Sequence, residues 1–199
     1  MKPRLLAAVL VLLVLVGSVG WADGQQADGA APAQSSPLDA PLTLRRQTLI
    51  VRDVEASLAL YRDAIGMEVI YDQEIHRPHA TEDREERLRL VFLKASHARI
   101  GVLGLLEYEY GNPGHPSHGT PVRREGFTPG HSILVFNTAE LDEKWARVVA
   151  TPGVEVISPP ELARYPSYDG TGVVRVNVTT FYDPDGFLVE LNQLLDPLD

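Results

Sequence analysis

One short stretch occurs twice in this chain with a single residue changed. Gly66-Met67-Glu68-Val69-Ile70 and Gly153-Val154-Glu155-Val156-Ile157 stand 87 residues apart, and each follows an apolar stripe at helical spacing. The first stripe is Val54, Leu58, Tyr61 and Ile65, behind Asp53 as helix N-cap with Glu55 in the first turn. The second is Leu141, Trp145 and Val148, behind a helix start at Asn137, Thr138 and Glu140. Solenoid repeats run to about 20–45 residues, so a period this long calls for two copies of one supersecondary unit.

The strands around each helix complete the unit. Leu44 to Val51 alternates, with Arg46, Thr48 and Ile50 on one face and Gln47, Leu49 and Val51 on the other. Met67 to Tyr71, Leu88 to Lys94 and Arg99 to Leu106 read as three more strands, the last two joined by a reversal at Ala95 to Ala98. The charged stretch Asp72 to Arg87, with His76 and His79, reads as a surface loop, and the order is βαβββ. Tyr108 to Pro129, rich in Gly, Pro and His, reads as a long connection or lid. His131 to Phe136 then opens the second unit, a loop from Ser158 to Gly172 follows, and Val173 to Tyr182 leads into Asp183-Pro184-Asp185-Gly186. That tetrapeptide supplies the fixed φ of Pro and the positive φ open to Gly, which a tight reversal needs. In the last strand Phe187, Val189 and Leu191 face one way and Leu188, Glu190 and Asn192 the other. A carboxylate in so apolar a strand is costly to bury without a partner, which marks Glu190 as a site residue.

The N-terminus is of another kind. Lys2 and Arg4 precede an apolar run from Leu5 to Val16, too short for a comfortable membrane span, and Gly20-Trp21-Ala22 offers a cleavage signal after Ala22. Residues 1–22 are expected to be a signal peptide, residues 23–41 a disordered spacer of small and polar residues, and the mature chain periplasmic or secreted. With no cysteine, the chain has no disulfide framework, thiolate metal site or Cys nucleophile. Loss of Lys2 and Arg4 would take the formal charge from −9 to −11, which disfavours nucleic acid and anionic membrane surfaces as partners. No phosphate-cradling Gly loop, nucleophile elbow or dinucleotide fingerprint occurs.

Val51-Arg52-Asp53, leading into Ser57-Leu58-Ala59-Leu60-Tyr61-Arg62-Asp63-Ala64-Ile65-Gly66-Met67, resembles the first module of the vicinal oxygen chelate superfamily. Phe181-Tyr182-Asp183-Pro184-Asp185-Gly186 through Glu190-Leu191 resembles the close of its second module. That superfamily holds glyoxalase I, extradiol dioxygenases, and the fosfomycin- and bleomycin-resistance proteins. The resemblance implies an α+β fold over residues 42–193, in which two βαβββ modules (42–107 and 130–193, joined by 108–129) curl into an open cup-shaped mixed sheet. It implies four metal-ligand positions: Arg46, Gly104, His131 and Glu190. His131 and Glu190 are good ligand types, whereas Arg46 stays protonated and Gly104 has no side chain.

Two functions follow from the resemblance. In the first, a divalent metal (Fe, Mn, Ni or Zn) held by His131, Glu190 and waters acts on a small oxygenated molecule, with Arg46 gripping a substrate carboxylate or phosphonate. Such an enzyme would be a lyase or a dioxygenase, with its catalytic residues unassigned. In the second, the cup binds a small molecule without metal, as the bleomycin-resistance branch does, and Arg46 pairs internally with Glu190. Gln47 would reach the metal only through a one-residue bulge, and His115 or His118 only if the connection folds over the cup. His76 and His79 read as exposed and His97 sits in a strand reversal with no further signal, while Arg123, Arg124 and Tyr182 could face a ligand, although ordinary surface and core roles explain them equally well. The family often forms dimers, so a homodimer could complete the site.

Overall fold

The structure, a computed structural model, describes residues 36, 38, 40–112 and 120–197. Everything below concerns the compact unit Pro37–Asp199. Its first module runs β1 (Arg46–Val51), α1 (Val54–Leu58), β2 (Glu68–Pro78), β3 (Glu85–Lys94) and β4 (Val102–Tyr108). Its second runs β5 (Ile133–Asn137), α2 (Leu141–Ala150), β6 (Glu155–Pro166), β7 (Val173–Tyr182) and β8 (Leu188–Leu194). Each module forms a four-stranded mixed sheet of the same order, β1-β4-β3-β2 and β5-β8-β7-β6. The first strand pairs parallel to the last and the other pairs are antiparallel. The expected pair of βαβββ modules is therefore present. Among the described residues no helix is long and apolar enough to cross a membrane.

Two stretches expected as loops are strands. Asp72 to Arg87 continues β2 and begins β3, leaving only a short turn between Pro78 and Glu85. Ser158 to Pro166 likewise extends β6. Both β2 and β6 are sheet edges. An edge strand has a free flank and tolerates the charges and prolines that make a sequence look irregular.

The first helix also departs from expectation. Asp53 caps it as predicted, its Oδ1 accepting from Glu55 N at 2.9 Å and Ala56 N at 3.1 Å, but Ala59–Ala64 continues as a π-helix. The wider turn brings adjacent residues onto the buried face, so Leu60 joins Tyr61 there and Ala64 joins Ile65.

A single apolar core spans both modules. Leu49, Val51, Leu58 and Leu105 from the first meet Leu134, Val148, Phe181, Val189 and Leu191 from the second. The Asp183-Pro184-Asp185-Gly186 turn locks the modules together. Asp183 is fully buried, and its Oδ2 accepts the Tyr61 hydroxyl at 2.8 Å. Its Oδ1 accepts from Phe187 N at 2.8 Å and Asp185 N at 2.9 Å. Asp185 reaches the start of α1, accepting from Arg52 N at 3.0 Å and from Ser57 Oγ at 3.3 Å. Arg52 in turn holds the connection, donating to the carbonyls of Thr120 and, at 2.9 Å, Pro121. Gly186 has a φ of +90°, and a Cβ there would lie far inside van der Waals contact with the Arg123 carbonyl oxygen. Replacing it with alanine adds a backbone clash to an unfavourable φ. Gly186→Ala is expected to lower the urea midpoint by the equivalent of about 2–4 kcal/mol, with an unchanged slope.

Burial pushes the Asp183 carboxyl up from its ordinary 3.8 to about 6, against the pull of its hydrogen bonds from Tyr61 and the Phe187 and Asp185 amides. The unfolded chain releases this proton near pH 4 and the folded chain keeps it to about pH 6. The group therefore favours folding most below pH 4, and that contribution is lost as pH rises through 6. Asp183→Asn has no such proton to lose. Its stability relative to the native chain is expected to rise by about 2–3 kcal/mol between pH 4 and pH 7, read from denaturant unfolding at both pH values.

Candidate functional site

Each sheet has a core face and an open face. On β1, Leu49 is 2% exposed and Ile50 53%; on β5, Leu134 is 9% and Val135 61%. Alternation thus puts Arg46, Thr48 and Ile50 on the open face, as expected. Gly104 pairs with Thr48 on one side and Phe92 on the other, and so shares that face.

Gly104 decides what this face can hold. A Cβ at Gly104 would stand 2.6 Å from Thr48 Oγ1 and 3.2 Å from Arg46 Cδ. The space a ligating side chain would need at this position is taken up by Thr48 and the methylene stem of Arg46. The Arg46 guanidinium lies over the Phe92 ring, 4.1 Å from its centroid, and Phe92 stacks on Tyr71 at 4.7 Å with their planes 22° apart. This cation–π contact holds the arginine flat on the sheet. Arg46 borders a cavity of about 450 Å³ that also involves Thr48, Ile70 and Phe92. It also borders a crevice of about 200 Å³ between β1 and β5, lined by Gln47, Ile133 and Val135. Gln47 Nε2 donates across the module boundary to Ser132 Oγ at 3.1 Å.

The second module presents its residues differently. Glu190 lies on β8 opposite Val135, half-buried on the open face, with Oε2 accepting from Asn192 Nδ2 at 2.9 Å. No cation lies within ion-pair distance of it among the described residues, so an Arg46–Glu190 pair is not formed. His131 lies two residues ahead of β5, its amide bonded to the Thr128 carbonyl at 3.1 Å and its Nε2 2.6 Å from Glu125 Oε2. Gly104 pairs with Thr48 and Glu190 with Val135, so in ladder register Ile133 corresponds to Arg46. The turn at Thr128 to His131 sets His131 apart from that register. Two of the four family positions, His131 and Glu190, offer metal donors; at Arg46 and Gly104 this chain offers none.

Among the other residues singled out in the sequence, His76 Nδ1 meets Glu85 Oε1 across the β2–β3 hairpin at 2.7 Å, and His97 Nδ1 accepts from Arg99 N at 3.1 Å. Arg123 pairs with Glu125, and Arg124 Nε with Glu155 at 2.8 Å. His115 and His118 lie outside the described residues.

Sequence reasoning missed one cluster. His79, Glu86 and Glu109 bring potential metal-ligand atoms within 4.8 Å of one another at the far end of the β2–β3 hairpin, and by spacing they could hold a divalent cation. Both carboxylates are buried. Glu86 accepts from Arg77 Nε at 2.7 Å, and Glu109 accepts from Arg84 Nη2 at 2.6 Å and Nη1 at 3.0 Å. His79 Nδ1 accepts backbone N–H groups from Glu82 and Thr81, at 3.1 and 3.4 Å. An entering cation would have to displace two guanidinium partners from the carboxylates. The signal lay in the alternation of Glu86, Leu88 and Leu90, which a loop reading of the same residues conceals.

The family model of the Glyoxalase/Bleomycin resistance protein/Dioxygenase superfamily matches residues 43–191, and the chain belongs to that superfamily. Among solved structures, a glyoxalase family protein from Bacillus cereus is similar at 13% identity and a TM-score of 0.57, over 83% of this chain and 100% of that one. Two others are similar at lower TM-scores. The trypanothione-dependent glyoxalase I of Leishmania major has 21% identity and a TM-score of 0.45, over 73% of this chain and 82% of that one. The antibiotic-binding protein TnmS3 of Streptomyces sp. CB03234 has 22% identity and a TM-score of 0.43, over 78% and 98%. No protein of curated function matches the sequence.

The packing at Gly104 can be checked directly. Gly104→Ala is expected to displace the Thr48 hydroxyl, press on the Arg46 stem and cost about 1–3 kcal/mol of stability, as overpacking does. In a Thr48→Ala background, which removes the closest contact, the same change should cost clearly less, and a double-mutant cycle by chemical unfolding would measure that coupling.

Proposed function

We propose that this chain binds a small molecule at the open face of its first module, anchored by Arg46 and with no protein-bound metal at the family position. One observation carries this reading: the stem of Arg46 and the Thr48 side chain fill the space where Gly104 would otherwise present a ligand, and the guanidinium lies on Phe92. A guanidinium there suits an anionic ligand, which it can meet through paired N–H donors, and opposes a bound cation. The reading takes the mature chain to begin after Ala22 and to act outside the cytoplasm, as a monomer or a homodimer.

A second reading rests on Glu190, whose carboxylate faces the open side with no cationic partner among the described residues. In it, His131 and Glu190 would hold a divalent metal together with waters, and Arg46 would bind a substrate anion. Such a metal would supply Lewis-acid stabilisation of negative charge developing on a substrate oxygen.

Elemental analysis of the untagged mature chain, beside a thermal-shift screen of small acids, separates the two. The binding reading expects no stoichiometric metal and stabilising ligands whose effect is lost in Arg46→Ala. About one metal per chain, lost in both His131→Ala and Glu190→Ala, would overturn it in favour of the enzyme. Metal lost only in Glu86→Gln would place the ion in the β2–β3 hairpin instead and leave the proposed anion site standing.

A further inference from the structure

We propose that the ligand at this face carries a doubly charged oxyanion, a phosphate, phosphonate or sulfate group, on a flat apolar body. The inference rests on the reading that the Arg46 cavity is the binding site, and it adds the ligand's chemical class.

The distribution of arginines points there. Of the fourteen arginines among the described residues, nine lie within 4.0 Å of a carboxylate, as expected in a chain of formal charge −9. Arg45, Arg46, Arg87, Arg99 and Arg164 have no such partner among the described residues, and three of these five, Arg45, Arg46 and Arg99, line one cavity of about 450 Å³ beside Phe92. Acidic side chains outnumber basic ones in this chain, 27 to 18. Three arginines that line one cavity with no carboxylate among its described lining residues therefore stand out against the rest of the surface. They repel one another unless an anion lies between them, and a dianion neutralises more of that charge than a carboxylate does. Guanidinium forks match the geometry of tetrahedral oxyanions, and the hydroxyls of Thr43 and Thr48 on the same wall add further donors.

The remaining wall is apolar. Phe92, Ile70 and Val102 line it, and Phe92 is backed by Tyr71 in a stacked pair. The volume lies within the range of cavities that take whole small molecules, about 300–1,000 Å³, and is larger than a bare phosphate needs. An anionic head among the arginines would leave a ring or hydrocarbon body against Phe92. The surrounding negative charge disfavours a long polyanion such as nucleic acid, so the head belongs to a small molecule.

Isothermal titration of the full-length mature chain with phenyl phosphate, inorganic phosphate, benzoate and phenol tests this. Phenyl phosphate is expected to bind at least tenfold more tightly than any of the other three, and to weaken as salt is raised. Arg45→Ala and Arg99→Ala are each expected to weaken it about tenfold, with unfolding midpoints unchanged because both side chains are exposed. Arg164→Ala, an exposed arginine outside this cavity, should leave it unchanged. If phenyl phosphate binds no better than benzoate, or binds equally well in Arg45→Ala and Arg99→Ala, the dianion class is wrong. Benzoate binding lost in Arg46→Ala alone would keep the cavity as the ligand site while overturning the dianion. Tight inorganic phosphate binding, unimproved by the phenyl group, would overturn the flat apolar body. If no probe binds, both this inference and the reading beneath it fail.

Discussion

The buried contact between Asp183 and Tyr61 ties the two halves of this protein into one. The tyrosine hydroxyl comes from the helix of the first module and the carboxylate from the last turn of the second, and both residues are fully buried. Burial holds the tyrosine's proton firmly and raises the carboxyl's affinity for its own. Around this pair the turn also reaches the amide of Arg52 and the hydroxyl of Ser57, while Arg52 secures the connection at Thr120 and Pro121. Two repeated units with no such tie would present their apolar helix faces to water; with it they enclose a common core.

Much of this was legible in the sequence because it rests on periodicity and on turn chemistry. The duplicated Gly-x-Glu-Val-Ile stretch, the Asp53 cap and the Asp-Pro-Asp-Gly reversal follow from short-range rules, and each stands in the expected element or turn. The function of the aspartates in that reversal was not legible, since their partners lie more than a hundred residues away. The hairpin arms were hidden for a different reason. Strands β2 and β6 close the sheets at their outer edges, where Glu74, His76, Pro159 and Pro160 cause no conflict with a neighbour. Only the whole sheet shows that such a stretch is a strand.

The candidate site shows a similar division. The face occupied by Arg46 and Thr48 could be read from strict alternation, and so could the missing side chain at Gly104. That Arg46 would lie along the vacated space, against Phe92, depends on the β3–β4 register and on no local pattern. His131 stands apart from the second ladder because Pro129 and Gly130 end a turn just before it, with Gly130 at a φ of +100°. The displacement is the two residues by which the Arg46-to-His131 spacing of 85 falls short of the 87-residue repeat, a difference that a loop-length change would also give and that only the ladder interprets. The Arg45, Arg46 and Arg99 cavity was equally out of reach, because Arg99 joins it through the parallel pairing of β4 with β1, which no local pattern reveals.

The fit between Gly104 and Arg46 also bears on how such a protein can change over generations. In a duplicated fold the two modules are free to differ, and here the first carries Arg46 and Gly104 where the second carries His131 and Glu190. Placing a carboxylate at position 104 alone would drive it into Thr48 and the arginine stem. Replacing the arginine alone would leave a hollow over Phe92. A side chain at 104 therefore needs changes at both Thr48 and Arg46, so the three positions are coupled, and the present packing of the first module is easier to keep than to alter.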